Sequence, residues 1–272
     1  MDYEDFYNNS YTNTNLNTNR SYERMMSNRA KSYVIDNILS RYVGDTTYVL
    51  DLCGGKGQDI FKWAKLYKNV GVDIYYDLIR YINLDISKDG VDECLKRIQS
   101  ANLHLRYKAY QYDVLTNLLD ENLPQHIINR PSIVSCQLAF HYAFESCDKY
   151  ETALANVLVS NPVAIFLTYP DPSIISSSIN SFYSKDSKNI IAKIEDLHLD
   201  KSKPFGNSYR YYQHDTCVSD YITEFVVDED KLFNDLCSMG YTMVFDMNHG
   251  NIVGVDVISP VSLYKSVVFA LY

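Results

Sequence analysis

The chain has 272 residues, 46% of them apolar, and a formal net charge of −9. That is enough chain for one large domain with a full core, and the acidic balance argues against a broad nucleic-acid-binding surface, which needs clustered Lys and Arg. No run of about 18 apolar residues is present, so no membrane-spanning helix is expected, and the polar start "MDYEDFYNNSYTNTNLNTNR" lacks the basic and apolar stretches of a secretory signal.

The six cysteines form no CxxC pair and the six histidines are scattered without metal-ligand spacing. This predicts reduced thiols in an intracellular compartment and no bound metal. The excess of Asn and Tyr reads as genome bias rather than as a functional signal.

Residues 1–27 carry Asn, Thr and Ser with no hydrophobic period and read as a mobile arm. "RAKSYVIDNILSRYV" (29–43) has apolar residues at helical spacing, ended by Gly44 and Asp45. "TTYVLDLC" reads as a buried strand, "GGKGQD" as a turn and "IFKWAKLY" as a helix. "YINLDI" is the next strand, and "SKDGVDECLKRIQS" a helix with Ser87 or Asp89 near its N-cap. "YKAYQYDV" and "SIVSCQLAF" are strands, "YETALANVL" a helix and "VAIFLTYP" a strand. This alternation predicts an α/β domain with a mostly parallel sheet and helices on both faces. After Pro172 the pattern turns antiparallel: "YRYYQHD" and "YITEFVVD" as strands, "DEDKLFNDLCSMG" as a helix ended by Gly240, then "YTMVFDM" and "SLYKSVVFALY" as strands. One domain over 28–272 is expected, with a first half to about 170 and a second from 171.

The strand–turn–helix "VLDLCGGKGQD" has the chemistry of a ligand cradle. Glycines let the backbone approach closely and take positive φ, and the helix start offers unpaired N–H groups. Alone it is weak evidence. Asp85, Asp113 and Gln137 then fall at consecutive strand ends, along the carboxyl edge where parallel sheets bind ligands. His141 and Tyr142, between Phe140 and Phe144, follow the fourth strand; they read either as strand-edge aromatics or as the wall of a pocket for a flat polar ring.

With these stretches in place, the chain resembles the messenger RNA cap guanine-N7 methyltransferases. The ordered motifs are "LDLCGGKGQDIFKW", "LDISKDGVDECLKR", "CQLAFHYAFES", "EFVVD" and "SLYKSVVFA", and the likeness runs from about residue 28 to 272. It implies a Rossmann-like fold with a seven-stranded sheet, S-adenosylmethionine as cofactor, and transfer of its methyl group to N7 of a guanosine cap. It implies cofactor contacts at Lys31, Asp51, Cys53, Gly55, Gly57, Asp85, Asp113, Gln137 and Tyr142. It implies cap contacts at Lys56, Lys62, Arg97, His141, Glu224 and Tyr264, with the guanine positioned by His141, Tyr142, Glu224 and Tyr264. The implied partners are the capped 5′ end of RNA and other capping enzymes, in the nucleus or, for a viral or parasite source, the cytoplasm.

Three positions depart from the family pattern. Cys53 stands where a glycine is usual. "VGVDIYYDLIRY" lengthens the path between the turn and the acidic strand end, so Asp73 competes with Asp85 for the ribose; the family-like run after Asp85 favours the latter. The family's lysine on the first helix falls at Ile35, and Lys31, one turn earlier, takes its place.

Guanine N7 carries a lone pair and no proton, so its methylation needs no general base, and no nucleophile–base pair is recognisable in the sequence. Two other readings stay open on sequence: a methyltransferase acting on another substrate, and a non-catalytic cap-binding or regulatory subunit on the same fold.

Overall fold

The computed structural model describes residues 22–72, 78–103, 106–119, 130–177, 179–183, 190–213 and 221–271. Tyr48–Leu52 (β1) is buried at every position, as a strand covered on both faces must be. It pairs in parallel with Tyr81–Asp85 (β2) on one side and with Ser132–Gln137 (β4) on the other. Tyr107–Gln111 (β3) lies outside β2, and Ala164–Pro170 (β5) beside β4, all parallel. The sheet closes with two antiparallel strands, Tyr264–Leu271 (β11) against β5 and Tyr241–Asn248 (β10) at the edge. The order β10-β11-β5-β4-β1-β2-β3 is the expected seven-stranded sheet. Strand order reverses between β1 and β4, which opens a crevice at their carboxyl ends.

Helices Ile60–Asn69 (α2) and Lys88–Ser100 (α3) follow β1 and β2. The α2 face bearing Ile60, Trp63, Leu66 and Tyr67 is buried, at the spacing of an amphipathic helix. Ser87 caps α3, its hydroxyl accepting from Gly90 N. Cys147–Leu158 (α4) is capped likewise by Ser146.

The first helix, α1, spans Tyr22–Asn37, so residues 22–27, expected in the arm, are helical. The buried row Met26, Ala30 and Val34 explains this: a four-residue spacing too sparse to register against the polar composition. The run from 38 to 43 holds a separate 3-10 turn, Leu39–Tyr42.

"SIVSCQLAF" is not a strand throughout. β4 ends at Gln137, Leu138 takes φ 62, and Phe140–Glu145 forms a 3-10 turn. The expected strands at 208–213 (β8) and 222–225 (β9) join Ser181–Tyr183 (β6) and Ile190–His198 (β7) in a second, four-stranded antiparallel sheet. Its small core is built on Phe182, Ala192, Tyr209 and Tyr211. Glu229–Ser238 (α6) ends at Gly240, φ 92. Two short helices, Pro172–Ile175 (α5) and His249–Val253 (α7), complete the described elements. Among the described residues no helix is long and apolar enough to cross a membrane.

Candidate active site

A cleft of about 360 Å³ opens over the carboxyl ends of β1, β2 and β4 and is closed by α1 and the second sheet. The glycine turn forms its floor. Cys53, Gly55 and Gly57 all take left-handed φ, of 59, 53 and 65. Gly54 is required for a different reason: a Cβ there would collide with Asn83 Oδ1 and stand 2.8 Å from Asp51 Oδ2. Both side chains are buried beneath the turn. Asn83 Nδ2 holds the Gly55 carbonyl at 3.2 Å, and Tyr81 Oη donates to Asp51 Oδ2 at 2.5 Å. Burial, with the nearby Asp59 charge, pushes the Asp51 carboxyl up to about 7.

Asp85 ties the second strand end to the turn. Its Oδ2 accepts from Gly55 N at 2.7 Å and its Oδ1 from Ser87 N at 2.9 Å. Burial raises its pKa to about 6 against the opposing pull of these two N–H groups. Asp113 accepts from Leu115 N at 2.9 Å and from Thr116 Oγ1 at 2.6 Å. Gln137 closes the row, its Nε2 donating to Phe166 O at 3.2 Å. Asp85, Asp113 and Gln137 all line the cleft, as do Lys31, Cys53, Gly55 and Tyr142. Asp51 and Gly57 stand outside its lining: Asp51 is buried beneath the turn, and a Cβ at Gly57 would lie 2.5 Å from Cys94 Sγ. Asp73 lies outside the described residues.

Cys53, the departure from glycine, is half-buried with its thiol against Cys136. Hydrogen bonding with that thiol, together with burial, pushes it well above its ordinary value. It is therefore a packed, protonated wall group rather than a nucleophile.

The opposite wall comes from the second sheet and the last strand. Glu224 on β9 is 5% exposed, and its Oε2 accepts from Tyr209 Oη at 2.6 Å. Its Oε1 lies 3.7 Å from His141 Nε2, beyond hydrogen-bond reach. His141 itself is 1% exposed and stands behind Tyr142, ring centroids 4.2 Å apart. Tyr142, Glu224 and Tyr264 face the cleft, while His141 backs them. The left-handed Leu138 explains how: it turns the chain out of β4, so the following 3-10 turn presents Tyr142 and tucks His141 inside.

The three basic residues expected at the cap are placed differently. Lys62 is tied to Asp59 and donates to Asn28 Oδ1 at 2.9 Å. Asp59 also takes Lys31 Nζ at 2.7 Å. Burial pushes Asp59 up, but the two ammonium groups outweigh it and hold it well below the usual carboxylate range. Arg97 Nε lies 3.6 Å from Glu93 Oε1 on the same helix, and Lys56 is half-buried in the turn. None of the three lines the cleft; its basic groups are Arg24 and Lys31 of α1 and Lys149 of α4.

Lys149 and Asn28 were missed on sequence. Lys149 is four residues after Glu145 and pairs with it at 2.6 Å, an i, i+4 signal that looks like ordinary helix-surface chemistry. Asn28 sits in a polar run whose helical face was not recognised. Among the described residues no group of three or more His, Cys, Asp or Glu is placed to hold a metal ion.

Comparison with known proteins points the same way. A family profile described as "mRNA (guanine-N(7))-methyltransferase domain" matches residues 4–254. The mRNA cap guanine-N(7) methyltransferase of Saccharomyces cerevisiae is 30% identical over 244 residues, covering 82% of this chain and 51% of that protein. That of Schizosaccharomyces pombe is 28% identical over 211 residues, covering 74% and 56%. The chain thus spans about half the length of the curated relatives it matches. Among solved structures, an S-adenosylmethionine-dependent methyltransferase from Clostridium acetobutylicum aligns with TM-score 0.52 and 14% identity over 89% of this chain and 90% of that one. The magnesium protoporphyrin IX methyltransferase of Synechocystis aligns at 0.53 and 12% over 99% and 97%. At such identities these two speak for the fold.

Proposed function

The chain belongs to the mRNA (guanine-N(7))-methyltransferase family, and on that premise we propose that it transfers the methyl group of S-adenosylmethionine to N7 of the guanosine cap of RNA. The observation that carries the reading is the facing of two unlike walls across one cleft. One is a glycine turn with carboxylates at consecutive strand ends; the other is a buried carboxylate framed by tyrosines.

The residues fit the methyl donor. Cys53 and Gly55 of the turn line the cleft, Asp85 offers a carboxylate to a ribose diol, and Asp113 one to an adenine edge. Bound S-adenosylmethionine supplies an electrophilic methyl on a sulfonium sulfur. The chain's task is then to hold guanine N7 in line with it. Glu224 Oε1 accepts from the guanine N1–H and amino group, and its charge favours the positive charge that grows on the ring during transfer. Tyr142 and Tyr264 add aromatic faces, worth about 0.5–2 kcal/mol toward a cation. No side chain needs to take a proton, in keeping with a buried His141 that stands 3.7 Å from its nearest carboxylate oxygen.

The cap triphosphate is expected to engage Lys56, Lys62 and Arg97, which lie outside the cleft lining, and a phosphate would compete with Asp59 for Lys62. Capped RNA is the implied substrate, other capping enzymes are the implied partners, and an intracellular setting accords with the free thiols at the cleft. Calorimetric titration tests the reading: S-adenosylhomocysteine and a guanosine cap dinucleotide should each bind one site, and Glu224→Ala should abolish binding of the second alone. A chain that binds neither is not this enzyme.

A further inference from the structure

Gln137, Thr168 and Ser266 are direct cross-strand partners on β4, β5 and β11. They form a polar row through the middle of the sheet, with Thr168 and Ser266 wholly buried. The row ends on His249 of α7, also wholly buried, whose ring centroid is 6.5 Å from that of Tyr264. Apolar residues of the same shape would serve stability as well, so the polarity here has another task.

The hydrogen bonds have only one direction. The Phe166 carbonyl can only accept, so Gln137 Nε2 faces it at 3.2 Å and Gln137 Oε1 faces Thr168. Thr168 Oγ1 must therefore donate to that oxygen, at 2.7 Å. Its one proton is then used, so Ser266 Oγ donates to Thr168, at 3.2 Å. Ser266 in turn accepts from His249 Nε2, at 2.8 Å. His249 is thereby fixed as the Nε2–H tautomer, with Nδ1 bare and without a partner. Burial, which keeps this ring neutral with a pKa lowered to about 3, agrees.

We propose that His249 is a positioning residue for the cleft: through Ser266 and Thr168 it locks the end of β4, from which the chain turns into the His141–Tyr142 segment. Thr168 holds that junction twice, by its hydroxyl on Gln137 and by its carbonyl, which accepts from Leu138 N at 2.8 Å. Leu138 is the left-handed residue that starts the turn, and Gln137, Leu138 and Tyr142 all line the cleft. The inference rests on the reading of that cleft as the methyl-transfer site.

Nitrogen-15 NMR of histidine-labelled protein, with His249→Gln identifying the signal, should show the Nε2–H tautomer at neutral pH. The Nδ1–H tautomer or a charged ring would overturn the proposal. In steady-state methylation of a cap dinucleotide, Thr168→Val and His249→Phe should each lower kcat about 10- to 100-fold while KM for the methyl donor stays within about threefold, the pattern of a small misplacement. His249→Gln, which keeps a donor at the same place, should restore kcat to within about threefold. The double variant should be no worse than Thr168→Val alone, because both break one chain. Thr168→Val with unchanged kcat, losses that multiply, or no rescue by Gln would each overturn it. A wild-type chain that transfers no methyl group would instead contradict the proposed function, and the tautomer would still decide the direction of the chain.

Discussion

Tyr209 Oη donates to Glu224 Oε2 at 2.6 Å across the β8–β9 pair, where the two residues are register partners. This bond satisfies one carboxylate oxygen inside the second sheet; the other lies 3.7 Å from His141 Nε2, and the residue lines the cleft. A buried carboxylate held this way is costly unless it meets a partner. Glu224→Gln keeps the shape and removes the charge; kcat for cap methylation should fall about 100-fold or more. Tyr209→Phe keeps the charge and loosens its aim, with an expected loss of about 10-fold. Steady-state kinetics on a cap dinucleotide checks both.

Asp85 ties the turn with its carboxylate and lines the cleft; on the proposed function the same group meets the methyl donor. Asp85→Ala should raise the dissociation constant of S-adenosylhomocysteine about 10-fold or more, since bonds to a charged acceptor are lost. Because burial lifts this group to about 6, it gains a proton as pH falls through that value. Wild-type affinity should therefore weaken below about pH 6, and Asp85→Asn should flatten that dependence. Calorimetry at pH 5, 6 and 8 reads the effect.

Gly54 is held to its size by Asn83 and Asp51. Neither can retreat: Asn83 holds Gly55 O and Asp51 is held by Tyr81. Gly54→Ala should cost about 1–3 kcal/mol in urea unfolding and should reduce binding of S-adenosylhomocysteine by more than 10-fold.

Asp51 links stability to pH. Its folded pKa is raised to about 7 by burial and by the Asp59 charge, against about 4 for an unfolded chain. Between these values the folded chain keeps a proton the unfolded chain has released, so this group makes stability fall as pH rises through the window. Asp59 has the opposite sign. Its depressed pKa gives stability that is present above the unfolded value and lost as pH falls further. Asp51→Asn should therefore gain on wild type between pH 5 and pH 8 by an amount of order 3 kcal/mol, measured by urea unfolding at both.

The parallel half was legible because β1, β2 and β5 are buried along their whole length and the helices between them carry start signals such as Ser87 before α3; in the antiparallel half Gly240 marked the end of α6. The polar edge of the cleft was legible from the strand pattern: Asp85 and Gln137 end β2 and β4, Asp113 lies two residues past β3, and all three line the cleft. The β6–β7 pair was not, because half-exposed strands such as Ile190–His198 with four exposed residues in a row lack alternation. The turn after Gln137 was hidden too: nothing in "CQLAF" announces a left-handed leucine, which is held by Thr168 from another strand. Lys62 shows the remaining gap. Its place in the motif suggests a phosphate contact, but Asp59, three residues away, holds it in the structure.

The most direct measurement is methyl transfer from labelled S-adenosylmethionine to three short RNAs of one sequence: one with an unmethylated guanosine cap, one with an N7-methylated cap, and one with a 5′-triphosphate. The proposed function predicts label on the first alone, released on digestion as N7-methylguanosine. Label on the triphosphate RNA, or equal label on the two capped RNAs, would contradict it, because neither outcome needs a guanine N7 lone pair held against Glu224.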